Sequence, residues 1–468
     1  MNIAKVSKIK HPINILYISS SSSIGGGEVY LLSVMRHLDR NLYNPIVLLP
    51  DDGDFRLALD KINVVSVVVK LKYGWLMPSK SWHVFLSETA TRINAIKDII
   101  DKYNISLVHT NSNIFFDGAL AALEKGIHHI LVVHIPFSDA QPLFQRLNLS
   151  ANNFACLIND ISDHVIAVSE ATANTLTPCI PDSNLSVINV GLELDIYEKS
   201  SSIKSDIRKE LGLPEDCSIV VSIGRIDPDK GFDILLEAAY IVLQARQNTH
   251  FIIVGSIDEP HYYQRLISRI DQLKIENNLH FLGFRSDIPE ILRQSNVFAL
   301  TSFSEGGPYV LLEAMACRCA AVATKCGGIV ENVIKDHVSG LLIEVGDFEA
   351  LARNILVLLS DSSLAQNICE NAYKIVDGNY EAKQSIDKLM DVYDKVLSRP
   401  AKSRPNYLIV LLRNAIEEHA YLGLRLEELY DRFNRVENLA NKILNSLAYR
   451  ILRKLAHKIG HLLSQNRQ

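Results

Sequence analysis

From residue 13 onward, short runs of β-branched and apolar residues alternate with stretches whose apolar positions recur every three or four residues. NILYIS, NPIVLLP, NVVSVVVKL, SLVHTNS, HHILVVHI, HVIAVS and LSVINV predict seven strands. Between them lie amphipathic segments such as EVYLLSVMRHLD and SETATRINAIKDIIDKYN. A second series begins near residue 217 with SIVVSIGR, HFIIVGS, LHFLGF, VFALTS, AAVAT and GLLIEV, again with helical stretches between. Continuous apolar strands separated by helices mean parallel sheets covered on both faces. Two such series predict an α/β protein of two Rossmann-like domains, with ligands at the carboxyl ends of the strands in the cleft between them.

The polar stretch YEKSSSIKSD places the boundary near residue 197, giving domains over residues 1–197 and 198–379. RPAKSRPN, with two prolines, reads as a linker, and residues 400–468 form a helical tail. In that tail Leu422, Leu426, Leu429, Phe433, Val436, Ala440, Ile443 and Leu447 step by four and three, a heptad seam. Beyond it, Arg450, Arg453, Lys454 and Lys458 mix with Ile451, Leu452, Leu455, Ile459 and Leu462. That pattern suits either a basic helix on an anionic membrane surface or a solvated face of a helical hairpin packed on the body or a partner.

Length alone, at 468 residues, favours two or three domains. The net charge of −5 is unevenly spread. Residues 401–468 hold twelve Lys/Arg against six Asp/Glu, so the tail is +6 and the rest −11. With an acidic body, no nucleic-acid partner is expected. The N-terminal lysines precede only INILYI, too short for a signal peptide core, and no apolar run nears the ~18 residues that span a bilayer. Seven cysteines without framework spacing favour a reducing compartment, so a cytoplasmic location is expected.

Candidate chemistry concentrates in SFSEGGPYVLLEAMACRCAAVATKCGGIVENV, residues 302–333. Glu305 and Glu313 flank a Gly306-Gly307-Pro308 turn. Pro308 suits the first helical position, which places Glu305 in the loop and Glu313 in the helix. A helix start carries unpaired N–H groups and partial positive charge, so a ligand rich in anionic and hydroxyl groups meets both carboxylates there. Gly25, Gly26 and Gly27 after the first strand allow a close backbone approach, or form a plain βα turn. Arg225 and Lys230 follow a strand end and suit a diphosphate, or pair with Asp227 or Asp229. His109 and His134 lie at strand ends facing the cleft, with His134 the better placed for a substrate, although such histidines also serve structurally. Cys317, Cys319 and Cys326 lack the paired knuckles of a zinc site, and the DDGD run at 51–54 reads as a polar turn. No metal or cofactor is expected, and neither glycine loop carries a nicotinamide fingerprint.

With these residues in place, the chain resembles the retaining glycosyltransferases of the GT-B fold that carry a Glu-x7-Glu signature. The resemblance runs in order through residues 13–397. Its motifs are GGGE at 25–28, LVHTN at 107–111, VVHIP at 132–136, HVIAVSEAT at 164–172, IGRIDPDKG at 223–231, FLGFRSDIPEIL at 281–292 and EGGPYVLLEAMAC with GGIVENV at 305–333. It implies that Glu305 with the Gly306 and Gly307 backbone binds the donor sugar. Glu313 would hold the ribose, Arg225 and Lys230 the diphosphate, and Phe284 and Arg285 the base. Gly26 and Gly27 would close from the other domain, with His134 on the sugar and acceptor side. The helix at 380–399 would cross back to the first domain. Three positions depart from the family: Arg318 and Ala320 where Gly and Pro are usual, and Val190 where an Asn often precedes Gly. The expected function is sugar transfer from a nucleotide donor to a glycan, lipid-linked at the inner face of the cytoplasmic membrane, with membrane contact or oligomerisation through the tail. A soluble acceptor, or a catalytically weak scaffold subunit of a polysaccharide assembly complex, is the alternative.

Overall fold

A computed structural model describes residues 11–70, 86–111, 116–139, 144, 150–198, 206–403 and 406–444. The extreme N-terminus, most of the boundary stretch at 199–205, and the basic segment beyond residue 444 lie outside the described residues. Contacts divide the chain into two units, residues 1–71 with 93–404 and residues 72–92 with 405–468, and each is taken by itself.

The first unit contains two sheets. One holds β1 (Ile13–Ser19), β2 (Tyr43–Leu49), β3 (Val65–Val68), β4 (Leu107–Asn111), β5 (His128–Val133), β6 (His164–Ala167) and β7 (Leu185–Val187), in the order β3-β2-β1-β4-β5-β6-β7. The other holds β8 (Ser218–Ile223), β9 (Thr249–Val254), β10 (Leu279–Phe281), β11 (Val297–Leu300), β12 (Ala320–Thr324) and β13 (Leu341–Ile343), in the order β10-β9-β8-β11-β12-β13. Strand pairing is parallel throughout, for example Ile15 with Leu107 and Val297 with Val220. Strand order therefore reverses between β1 and β4 in one sheet and between β8 and β11 in the other. Loops leaving the carboxyl ends at such reversals diverge to opposite faces and open a crevice, which is where ligands bind in this architecture.

One apolar cluster links the two sheets. Tyr17, Tyr30, Met35 and Val47 from the first join Leu300, Leu312 and Met315 from the second, and Leu389 and Tyr393 from the helix Ala382–Leu397. That helix lies against the first sheet. Tyr393 Oη contacts His109 Nδ1 at 2.8 Å and donates to Tyr17 Oη at 3.1 Å, while Tyr43 donates to Asp394. Its approach is fixed by backbone bonds on both sides of Leu192, from its N–H to Tyr380 O (2.7 Å) and from Ala382 N–H to its carbonyl (3.0 Å). The expected linker after residue 399 is partly docked instead. Lys402 donates its backbone N–H to Asp163 Oδ1 (2.6 Å) and its ammonium to Ser162 O (2.9 Å), so the first half of RPAKSRPN lies on the first domain.

Two features were not readable from spacing. Cys156 and Cys179, 23 residues apart, form a disulfide, because the helix Ala151–Ile161 and the turn after Asn174 bring them together. The spacing of the cysteines does not announce this bridge, and the other five cysteines are free thiols. Arg318, where the family usually has glycine, adopts φ +55°, the left-handed conformation that ends the helix Tyr309–Ala316. Its guanidinium sits 3.9 Å over the Tyr373 ring, a contact that offsets the backbone cost. Arg318→Ala should lose the stacking yet keep the left-handed strain, whereas Arg318→Gly removes both. Thermal unfolding should rank Gly above Ala by about 1 kcal/mol; the reverse order would contradict this explanation of the turn.

Candidate active site

The loops at the second reversal are stitched into one unit. Phe303 N–H bonds to Asp229 O (2.8 Å), and Thr301 Oγ1 donates to Lys230 O (2.8 Å). The loop after β11 is thereby held in register with the loop after β8. This delivers the Lys230 ammonium to 2.6 Å from Glu305 Oε1, which also accepts from Ser302 Oγ at 2.7 Å. Glu305 is buried, its own N–H bonded to Cys326 O (3.1 Å). A buried carboxylate is stable only with such partners. Arg225 takes a different environment: its exposed side chain reaches Asp258 Oδ2 at 3.0 Å and Asp227 Oδ2 at 3.2 Å. Both cations therefore have acid partners, Arg225 with Asp227 as one reading of the sequence had it, and Lys230 with Glu305 rather than with Asp227 or Asp229.

Helix Tyr309–Ala316 begins one residue later than the sequence suggested, with Pro308 as its N-cap in extended backbone. Pro308 has no N–H to leave unsatisfied, so the one-residue shift costs nothing there. Glu313, a little over one turn in, receives a hydrogen bond from Tyr197 Oη at 2.6 Å. Burial pushes the Glu313 pKa up, and the Tyr197 bond pulls against it. Tyr197 belongs to the short helix Leu194–Glu198 that ends the first domain, and its carbonyl accepts from Arg293 Nη2 at 3.0 Å. The connection between the domains thus reaches into the second domain's acidic pair.

The first domain contributes from its own reversal. The helix Gly26–His37 is capped at Gly25, whose N–H bonds to Glu28 Oε2 (3.2 Å), while Glu28 Oε1 accepts from Ser19 Oγ (2.8 Å) at the end of β1. Asn111, at the end of β4, donates to Gly27 O (2.9 Å) and meets His134 Nε2 through its Oδ1 (2.6 Å). Burial pushes the His134 pKa down to about 4, so the ring is neutral at pH 7. His109 is placed differently from the cleft-facing position the sequence suggested. It is fully buried within β4, bonded to Tyr393 and flanked by Tyr17 and Tyr30. A mid-strand position in a sheet covered by the returning helix leaves it a structural role.

The two sides touch. A Cβ on Gly306 would fall 1.6 Å from His134 O, so only glycine permits this approach. Behind it, a Cβ on Gly328 would lie 2.4 Å from Gly306 O, in backbone already left-handed at φ +66°. Val190, the second departure, packs beside Gly307, where a Cβ would meet its methyl groups at 3.2 Å. Ala320, the third, is the buried first residue of β12. Gly26 faces the Tyr309 ring, which a Cβ would meet at 3.8 Å. Gly306 thus meets the His134 carbonyl, Gly26 meets the ring that follows Pro308, and Glu305 with its Lys230 partner directly precedes the Gly306 contact. Phe284 and Arg285 are apart from this contact set. Phe284 is 57% exposed, and Arg285 is committed to Glu210 (2.5 and 3.1 Å) and Asp287 (2.7 and 2.6 Å).

Two contributors, Tyr197 and Ser302, had little signal. Tyr197 acts on Glu313 across 116 residues and sits in no motif. Ser302 is one small hydroxyl in a loop whose glycines and acid carry the pattern. Asn111 was legible in principle, as a polar residue ending an apolar strand beside the reversal. Among the described residues no group of His, Cys, Asp and Glu is arranged to hold a metal ion. Cys319 and Cys326 are buried free thiols and Cys317 a half-buried one. The DDGD turn is occupied with local pairs, Asp51 to Lys70 at 2.6 Å and Asp52 to Arg56.

This architecture, two parallel sheets with loops at both reversals facing one cleft, is the GT-B glycosyltransferase fold, and the chain belongs to that class. Residues 203–375 match the family model of glycosyl transferases group 1, and residues 24–196 match that of glycosyltransferase family 4. Among curated relatives, the N-acetyl-alpha-D-glucosaminyl L-malate synthase of Bacillus anthracis is 29% identical over 250 residues, which span 53% of this chain and 64% of that protein. The UDP-Gal:alpha-D-GlcNAc-diphosphoundecaprenol alpha-1,3-galactosyltransferase of Escherichia coli is 24% identical over 81% of this chain and all of its own length. Anabaena HepE, solved in complex with UDP and glucose, superposes with a TM-score of 0.70 at 25% identity, covering 82% of this chain and all of HepE.

The contact at Gly306 is testable. Gly306→Ala forces the loop off the His134 carbonyl and should cost about 1–3 kcal/mol with a larger radius of gyration. Gly307→Ala, which meets only movable valine methyls, should be milder in both. Thermal unfolding with small-angle scattering distinguishes them; equal effects would contradict the close approach of the Gly306 loop to the His134 carbonyl.

Proposed function

We propose that this chain is a retaining, metal-independent glycosyltransferase. It moves a sugar from a nucleoside-diphosphate donor to a lipid-linked glycan presented at the inner face of the cytoplasmic membrane. The observation that carries the reading is the Lys230–Glu305 pair at 2.6 Å, lodged where the second sheet reverses. It joins a cation suited to a diphosphate with a carboxylate suited to sugar hydroxyls. Support for the donor and acceptor classes comes from the Escherichia coli relative, whose name specifies a UDP-sugar donor and a diphosphoundecaprenol-linked acceptor, and from the UDP bound by HepE.

In this mechanism the donor diphosphate takes the Lys230 ammonium from Glu305 and competes with Asp227 and Asp258 for Arg225. Glu305 then accepts hydrogen bonds from the sugar, beside the Gly306 and Gly307 backbone. Glu313, steadied by Tyr197, accepts from the ribose, and Phe284 and Arg285 border the base. As the bond between the anomeric carbon and the phosphate oxygen breaks, charge grows on the leaving diphosphate, and the two cations stabilise it in a cleft closed by Gly26 and Gly27. The acceptor hydroxyl attacks on the face the diphosphate leaves, its proton passing to the departing phosphate oxygen. Neutral His134, held by Asn111, positions sugar and acceptor.

Transfer measured over a panel of nucleotide sugars tests the reading. Glu305→Gln and Lys230→Ala, checked for native unfolding profiles, should each lower turnover by about 100-fold or more, while a chelator leaves the wild type unchanged. Undiminished turnover in both variants would remove the assignment. Tyr197→Phe probes Glu313 separately. A carboxylate with a raised pKa is fully ionised only above that value, and losing a donor to its ionised form raises the value further. Nucleoside-diphosphate affinity in Tyr197→Phe should fall about 10-fold or more, with the loss shrinking as pH rises; undiminished affinity would place Tyr197 outside ribose binding.

A further inference from the structure

We infer that the C-terminal helix is one strand of a parallel, two-stranded coiled coil formed with a second copy of this chain. The helix runs from Asn406 to Leu444, 39 residues without a break. Along it Leu422, Leu426, Leu429, Phe433 and Val436 are 56–67% exposed, an unusual state for five large apolar side chains in one line. Their spacing of four, three, four and three averages 3.5 residues, the period that keeps a narrow seam facing a supercoiled partner. Leu426 and Phe433 take the a positions, and Leu422, Leu429 and Val436 the d positions.

The flanks select the occupant. Arg425 and Arg432 fall at g, Tyr430 and Glu437 at e. In a parallel pair each g residue faces the e residue five positions on in the other helix, which sets Arg432 against Glu437 of the second copy, twice by symmetry. An antiparallel pair sets g against g and brings arginines together. The flank is partly ordered already: Glu428 holds Arg432 at 2.7 Å and Arg425 at 3.1 Å, whereas Glu437 has no ion pair among the described residues. Charge also argues against a lipid surface for this segment. All six acids of the tail lie between residues 417 and 437, against four Lys/Arg in residues 414–444, so the exposed seam runs through the acidic part of a basic tail.

The test uses the full chain, with mass measured by light scattering and sedimentation at micromolar concentration. Twice the mass of one chain is expected, falling to one chain in Leu429→Glu with Phe433→Glu. Arg432→Glu should weaken the dimer at least 10-fold, and adding Glu437→Arg should restore it. A monomeric wild type, a dimer indifferent to the seam variant, or tightening by Arg432→Glu alone would each overturn the proposal. So would a monomer that floats with anionic phosphatidylglycerol vesicles and loses flotation in the seam variant, because the seam would then face lipid.

Discussion

Glu305 is a carboxylate buried in a protein interior, and such a group persists only where a cation and hydrogen-bond donors surround it. Lys230 and Ser302 meet that requirement. To bring them there, two loops more than seventy residues apart in sequence must be fixed to each other, which the bonds Phe303 to Asp229 and Thr301 to Lys230 accomplish. The placement of β8 beside β11 makes those bonds possible, because both loops leave the same edge of the sheet where strand order reverses. The charge pair, the loop geometry and the sheet topology are therefore one arrangement seen at three scales.

The pair acts on the rest of the cleft through backbone packing. Glu305 is followed by Gly306, whose missing side chain admits the His134 carbonyl, and Gly328 supports it from behind. His134 is held through Asn111 to the Gly27 carbonyl at the first sheet's reversal. A contact path thus runs from the second domain's acid to the first domain's glycine loop. A second path, Tyr197 to Glu313, joins the connection between the domains to the other carboxylate. Both paths cross between the domains, so a change in the angle between them would be felt at both carboxylates.

Much of this was legible in the sequence because strands and glycine turns leave local traces. The thirteen strands of the described residues stand where short β-branched runs placed them, and AAVAT coincides with β12. Gly306 and Gly307 followed from one motif, as did Lys230 from another. Partners set by tertiary contact left no such trace. Nothing around Tyr197 indicates a hydrogen bond 116 residues away, and the spacing of Cys156 and Cys179 does not reveal that a helix and a turn bring them together. His109 lies deeper than expected because an apolar strand does not disclose which helix covers it. Arg318 is the instructive case: a residue that departs from the usual glycine still takes the left-handed conformation, and the reason, Tyr373, lies 55 residues on.

Catalysis in this scheme turns on Lys230 being held by Glu305 until a donor diphosphate replaces it. A crystal structure of the full chain with a nucleoside-diphosphate sugar examines this directly. We expect the Lys230 ammonium on diphosphate oxygens, Glu305 on sugar hydroxyls and Glu313 on the ribose. A nucleotide bound elsewhere, or one bound in the cleft with the Lys230–Glu305 pair still intact, would contradict it.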